Sequence, residues 1–356
     1  RLFKWFCDPN LHQFIEGDLL ELYLERVSNL NKKKADLRFT LDVLMLFRPG
    51  IVRSFDILHH LSIQLDMFYN YLKVAWRNLL KQKLVSFINI SGLTVGLVCF
   101  ILLMLYAQYE LSYDKHHDKS GQIYRIIQKQ EGNTFRGTDL FAVSPEPLAP
   151  AMLENFPEVE AAATINDPRY ASETVILSHN EKVLLPKVLY ADENLFSVFS
   201  IPIIEGQGGD ALSDPTSILL SQSLAKKYFD QDSPIGKELL FNNDRLLTIR
   251  GVFEDLPENQ HITFDYILAI ENYANYKENL GRWGSNNYRT YVVLPKGYNH
   301  KDLEKKFSVF DDKIAQAYGN SPFTTQFILQ PVEDIYLHSK ANFESATTSD
   351  SRYIYL

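Results

Sequence analysis

The residues best suited to chemistry stand in one short run, Asp114, His116, His117 and Asp118. Carboxylate oxygens and imidazole nitrogens are ligands for zinc and related ions, so this run is the first place to look for a metal. Its spacing argues against one. Adjacent histidines on a loop are expected to point apart, and no second cluster completes a coordination set. The pair His59-His60 shares that weakness. Nucleotide chemistry lacks its loop: Gly236-Lys237 is followed by Glu238, so there is no G-x-x-x-x-G-K-[ST] run to cradle phosphates. There is no G-x-S-x-G elbow either. The cysteines are Cys7 and Cys99, and residues 110–352 have none, so no disulfide framework or cysteine metal site is expected. The chain therefore offers no catalytic residue, no metal and no cofactor.

What must position the remaining features is a membrane. From Leu84 to Tyr109 the sequence runs without a charge. Twenty helical residues rise roughly 30 Å, enough for a bilayer core. Phe87 to Tyr106 holds twelve Leu, Ile, Val or Phe, which together favour insertion by on the order of 4 to 7 kcal/mol. A buried soluble helix of that length would normally show charges on a wet face. A cleaved leader fits poorly, since a long stretch precedes the segment and Leu105 and Ala107 make a poor cleavage pair.

The charge is divided along the chain. Residues 1–83 hold 13 Lys+Arg against 9 Asp+Glu, a net of +4, within a total of -8 over 356 residues. Cations before the segment and Glu110 and Asp114 after it put the amino terminus in the cytoplasm and the acidic remainder outside. An acidic outer domain excludes nucleic acid as its partner, because phosphate binding needs a clustered positive field.

Ser86, Asn89, Gly92 and Gly96 recur at three- and four-residue spacing, which lays small and weakly polar groups along one face of the membrane helix. Such a face lets another helix approach closely, although glycine is also common in membrane helices without that role. Before it, Tyr69 to Lys83 is amphipathic. Lys73, Trp76, Arg77 and Lys81 suit anchoring at lipid headgroups; a plain extension of the membrane helix is the alternative.

The rest reads as a small all-α cytoplasmic module and a large α+β domain. In residues 1–66, Leu11, Phe14, Ile15, Leu19 and Leu22 give one helix after Asp8 and Pro9. Leu37, Leu41, Leu44 and Phe47 give a second, ending at Arg48-Pro49-Gly50, with Asn29 to Lys34 as a basic loop between them. In the outer part, strands are expected at Gln122–Lys129, Lys182–Tyr190, Ser217–Leu220 and Tyr288–Leu294. A hairpin joins Lys237–Phe241 to Arg245–Phe253, with Leu247, Ile249 and Phe253 on one face. Helices are expected at Leu148–Phe156, after a Ser221 cap as far as Phe229, and after Asn299 with Leu303, Phe307, Phe310 and Ile314 as its core stripe. Helices interleaved with hairpins indicate an α+β fold.

Trp76-Arg77-Asn78-Leu79, then Asn89-Ile90-Ser91-Gly92-Leu93, resembles the start of ABC-transporter permeases of the MacB/FtsX type. Similar runs follow in order: Tyr113-Asp114, Gln122-Ile123-Tyr124-Arg125, Phe156-Pro157-Glu158-Val159, Ala191-Asp192-Glu193-Asn194-Leu195-Phe196 and Ala225-Lys226-Lys227-Tyr228-Phe229. Asp232-Ser233-Pro234-Ile235-Gly236-Lys237, Gly251-Val252-Phe253-Glu254-Asp255-Leu256-Pro257 and Trp283-Gly284-Ser285 complete the series. Trp5-Phe6-Cys7-Asp8-Pro9 and Glu16-Gly17-Asp18-Leu19 resemble the prefix domain fused ahead of some of these permeases.

The resemblance implies a prefix domain at 1–66, an interfacial helix at 67–83, a membrane helix at 84–109, a periplasmic core of two α/β lobes at 110–352, and the start of a second membrane helix at 353–356. It implies a non-catalytic inner-membrane permease working in efflux, export or other envelope work. The partners implied are a separate cytoplasmic ATPase, a second permease copy, a periplasmic or outer-membrane protein, and lipid. A single-pass periplasmic sensor or binding protein is the rival reading, and an anchored periplasmic enzyme a third.

Overall fold

The computed structural model describes residues 7, 11–29, 32–47, 56–168, 175–319 and 321–353. The chain divides into two compact units, Arg1–Cys99 and Phe100–Leu356.

In the first unit, α1 (His12–Asn29) packs on α2 (Lys32–Met45). Leu19 and Cys7 are buried among half-buried Ile15, Phe39, Val43 and Leu46. Tyr23 meets Phe39 edge-on at 5.2 Å and donates to Asp36 Oδ1 at 2.6 Å, while Arg26 pairs with Asp42. The expected stripe Leu37, Leu41, Leu44 and Phe47 is exposed, as are Phe14 and Leu22. Two packed helices cover one face of each, and α2 presents its Ala35, Phe39, Val43 and Leu46 face. Lys32-Lys33-Lys34, expected in a loop, forms the first turn of α2, because lysine is a good helix former when its head stays wet. Asp8, Pro9 and the expected stop at Arg48-Pro49-Gly50 lie outside the described residues.

The helix α3 (Asp56–Lys81) runs unbroken through the expected boundary at 66/67, and it contains His59-His60. Only Gln82 separates it from α4 (Lys83–Glu110). The helical hydrogen bonds continue across that residue, Gln82 N–H to Asn78 O at 3.0 Å and Ser86 N–H to Gln82 O at 2.9 Å. By length and composition α4 can cross a membrane, with a mean hydropathy of 2.3 over its most apolar window and none of that window buried inside the protein. Its apolar side chains face outward all round, as on a helix whose solvent is hydrocarbon.

The second unit is a mixed α/β structure on one continuous sheet. Its strands are β1 (Ile123–Glu131), β2 (Leu140–Phe141), β3 (Ala161–Asn166), β4 (Leu177–His179), β5 (Lys182–Leu184), β6 (Val188–Ala191) and β7 (Ile203–Gly206), then β8 (Ser217–Ser221), β9 (Glu238–Phe241), β10 (Arg245–Phe253), β11 (Tyr266–Ala269), β12 (Arg289–Val293) and β13 (Thr324–Pro331). The order across the sheet is β13-β1-β12-β3-β6-β11-β8-β10-β9-β4-β5. Among the described strands, β8 with β10 and β6 with β11 pair in parallel and the rest antiparallel.

Both faces of this sheet are covered, so adjacent residues on a strand enter different cores. Ile218 and Leu220 pack with α6 (Gln222–Phe229), whereas Leu219 joins Ile165, Phe199 and Tyr291. A third core sits over β1, β12 and β13, formed by α5 (Leu148–Asn155), α7 (His300–Glu304) and α8 (Asp311–Tyr318). The Ser221 hydroxyl caps α6 by accepting from Leu224 N–H, and Asn299 Oδ1 caps α7. Leu303, Phe307, Phe310 and Ile314 do share one core, but over two helices and an intervening 3-10 turn.

Two strand expectations change. Lys182–Tyr190 is two strands, because Pro186 lacks the N–H a ladder needs. In β10, Phe253 leaves the face of Leu247 and Ile249, and Val252 takes its place. An irregularity between Ile249 and Gly251 inserts a residue and reverses the alternation beyond it. Gly251 is required there, since a Cβ would stand 2.1 Å from Gln207 O.

Candidate functional site

Where α4 ends, its last residue turns inward. Glu110 is buried, and Tyr336 Oη donates to its Oε1 at 3.1 Å. Tyr113 stacks flat on Tyr336, ring centroids 3.4 Å apart, and Tyr109 meets Tyr113 edge-on. Burial pushes the Tyr113 and Tyr336 hydroxyls above their ordinary range, so both stay neutral donors. Tyr336 belongs to α9 (Ile335–His338), held by the buried Ile335 and Leu337. The end of the apolar helix is thus tied to the segment that follows the last strand.

The next turn locks into the sheet. Asp114 adopts φ 59, a left-handed conformation that aspartate tolerates better than most residues. There its N–H donates to Asn259 O at 3.0 Å and its Oδ1 accepts from His261 N–H at 3.0 Å. His261 Nδ1 lies 2.7 Å from the same oxygen, and Nε2 lies 2.8 Å from Tyr291 Oη. A carboxylate only accepts, so His261 Nδ1 donates to Asp114. Burial opposes ionisation of Asp114, but the charge and hydrogen bonds of His261 outweigh it and hold the carboxyl below its ordinary value.

An Asp-His-Tyr line has the connectivity of a catalytic relay, yet it has nowhere to act. All three side chains are buried, and the adjoining cavity offers about 10 Å³, barely a water. Its role is to fasten the turn after α4 to the centre of β12. His117, buried against Phe199, completes the plug; burial first, then the neighbouring His116, pushes its pKa down to about 3.

The four residues first considered as metal ligands therefore diverge. Asp114 goes to His261, Asp118 donates its N–H to Ser200 Oγ, and among the described residues no group of three potential ligands converges. The adjacent histidines do not point apart as expected: their rings lie 3.9 Å apart. The partner that sequence reasoning missed, His261, stands 147 positions from Asp114.

A second tie starts on β1, the neighbour of β12. Arg125 of β1 is fully buried; Nη1 and Nη2 donate to the two Glu344 oxygens at 2.6 and 2.7 Å, and Nη2 also donates to Gln330 Oε1. This forked pair clamps the segment around Ser339 to Glu344 against β1.

In the first unit, Ser86, Asn89, Gly92 and Gly96 lie along α4, and a Cβ at either glycine would meet nothing within 4 Å. Lys73, Trp76, Arg77 and Lys81 lie exposed on α3.

An apolar helix long enough to cross a membrane leads into an α/β domain and is fastened to it by buried ties. Residues 86–308, well over half the chain, match the MacB-like periplasmic core domain, and the chain belongs to that family. It is thus a MacB/FtsX-type permease chain, of a periplasmic core domain family of inner-membrane transporters. A domain of a permease protein from Porphyromonas gingivalis is 27% identical with a TM-score of 0.53, covering 60% of this chain and 91% of that one. The periplasmic region of MacB from Actinobacillus actinomycetemcomitans is 16% identical with a TM-score of 0.42, covering 61% of this chain and 91% of the other. The extracellular domain of the noncanonic ABC-type transporter YknZ from Gram-positive bacteria is 14% identical with a TM-score of 0.40, covering 58% and 99%. No curated protein matches the chain.

Proposed function

We infer that this chain passes motion from membrane helices to a periplasmic domain, driven by ATP hydrolysis on a separate cytoplasmic ATPase. The observation that carries the reading is the Glu110–Tyr113–Tyr336 tie, which couples the end of α4 to the segment after β13. A rigid tie converts displacement of one helix into displacement of the domain, whereas a flexible linker would absorb it.

In this reading residues 1–66 form a cytoplasmic module, 67–83 an interfacial segment anchored by Lys73, Trp76, Arg77 and Lys81, and 84–109 the membrane span. Residues 110–352 lie in the periplasm. The cores over the two ends of the sheet support a division of the outer domain into two α/β lobes. Ser86, Asn89, Gly92 and Gly96 receive another membrane helix, and the permease assembles as a dimer with an ATPase and an envelope partner for export or related work.

The test is a pair of spin labels, one on the periplasmic sheet and one on the cytoplasmic side, in the full-length permease with its ATPase in lipid. ATP should change their separation, and Glu110→Ala with Tyr336→Ala should remove that change while ATP hydrolysis continues. A separation insensitive to ATP sinks the coupling.

A further inference from the structure

At the other end of β1, β12 and β3 from Pro331 and α9, a cavity of about 510 Å³ opens where β1 and β3 end and β12 begins. That volume suits a small organic ligand. Arg289, the first residue of β12, lines it and is only 2% exposed. Its Nη2 donates to Phe343 O at 2.8 Å, while Nε is buried with no hydrogen-bond partner. Among the described residues no carboxylate pairs with it, in contrast to Arg125, which holds Glu344 in a fork. A buried guanidinium is costly when its nearest carboxylates, Asp167 and Glu344, act on it without forming an ion pair.

A second unmet group lies in the same wall. Asn166, 4% exposed, donates from Nδ2 to Asn287 O at 2.6 Å, and its buried Oδ1 has no partner. The cavity wall thus holds one charged donor and one neutral acceptor, both buried and unmet. Phe141, Tyr273 and Phe343 supply aromatic walls. Phe343 is held at φ 61, strained for a residue with a bulky side chain, and stacks on Phe135 with centroids 5.7 Å apart. Backbone strain retained beside a cavity marks a place where geometry matters more than stability.

We propose that this cavity binds a small amphiphilic carboxylate, with its anionic head on Arg289, an adjacent N–H on Asn166 Oδ1, and an apolar body against Phe141, Tyr273 and Phe343. Asp167, which also lines the cavity, disfavours a multiply charged anion such as phosphate. An acid carrying one charge and one amide hydrogen satisfies both unmet groups. The inference stands apart from the coupling reading, since binding needs no ATPase.

The full chain in detergent is titrated calorimetrically with N-acetyl-phenylalanine, N-acetyl-phenylalaninamide and inorganic phosphate. The acid should bind one site per chain, the amide at least tenfold more weakly, and phosphate not measurably. Arg289→Gln should abolish binding and Arg289→Lys weaken it at least tenfold. Should the arginine variants not fold, Phe343→Gly decides: relief of the positive φ should hold or raise Tm while binding weakens about fivefold. Equal binding of acid and amide, saturable binding of phosphate, or acid uptake unchanged in Phe343→Gly overturns the proposal.

Discussion

His117 remains buried only while it is neutral. Its folded pKa of about 3 lies well below the ordinary value of about 6.5 that it regains on unfolding. As pH falls, the unfolded chain takes up the proton first, so stability is lost between those values by up to roughly 1.4 kcal/mol per pH unit. Asp192 acts the other way, because burial raises it to about 6, and its contribution is lost as pH rises toward that value. The difference between the wild type and His117→Gln isolates the histidine: urea midpoints followed from pH 7 to 4 should converge as the pH drops. Parallel curves would refute the assignment. The Arg125–Glu344 fork calls for a different measurement. Glu344→Gln leaves a fully buried guanidinium short of its anion and should cost about 3–5 kcal/mol, whereas Arg125→Met with Glu344→Met should cost less than the single change. Chemical denaturation of the three forms provides the comparison.

At the scale of elements, α4 combines two requirements. It is apolar on all sides, which lipid tolerates, and it keeps a small face at Ser86, Asn89, Gly92 and Gly96 that nothing in the first unit covers. Replacing Gly92 and Gly96 by leucine should leave insertion intact and weaken association with neighbouring helices roughly tenfold, equivalent to about 1.4 kcal/mol. Copurification of tagged and untagged permease copies reads this directly, and undiminished association removes the packing role. Elements with a local cause were legible beforehand. The Ser221 and Asn299 caps, the hairpin turn through Asn242 and Asn243 at positive φ, and β12 all depend on residues close in sequence. The misread elements depended on distant partners. The reversal of β10 at Gly251 follows from the approach of Gln207, and the inward face of α2 was chosen by α1.

For the whole molecule, the charge division along the chain predicts an orientation. A reporter active only in the periplasm should work when fused near Gly297 and fail near Lys34; the reverse pattern inverts the topology. The buried ties also give the α/β domain a polarity. The Glu110–Tyr336 and Asp114–His261 contacts gather where β1 begins, and the Arg289 cavity opens where it ends.

By itself the sequence determined the apolar span, the division of charge, the absence of a phosphate-cradling loop and the ordered family motifs, because each is a property of composition or of near neighbours. Tertiary structure alone decided that Asp114 meets His261, that Arg125 meets Glu344 and that Arg289 and Asn166 share a wall. Those pairings join residues more than a hundred positions apart, and only the register of the sheet brings them within hydrogen-bonding or shared-cavity distance.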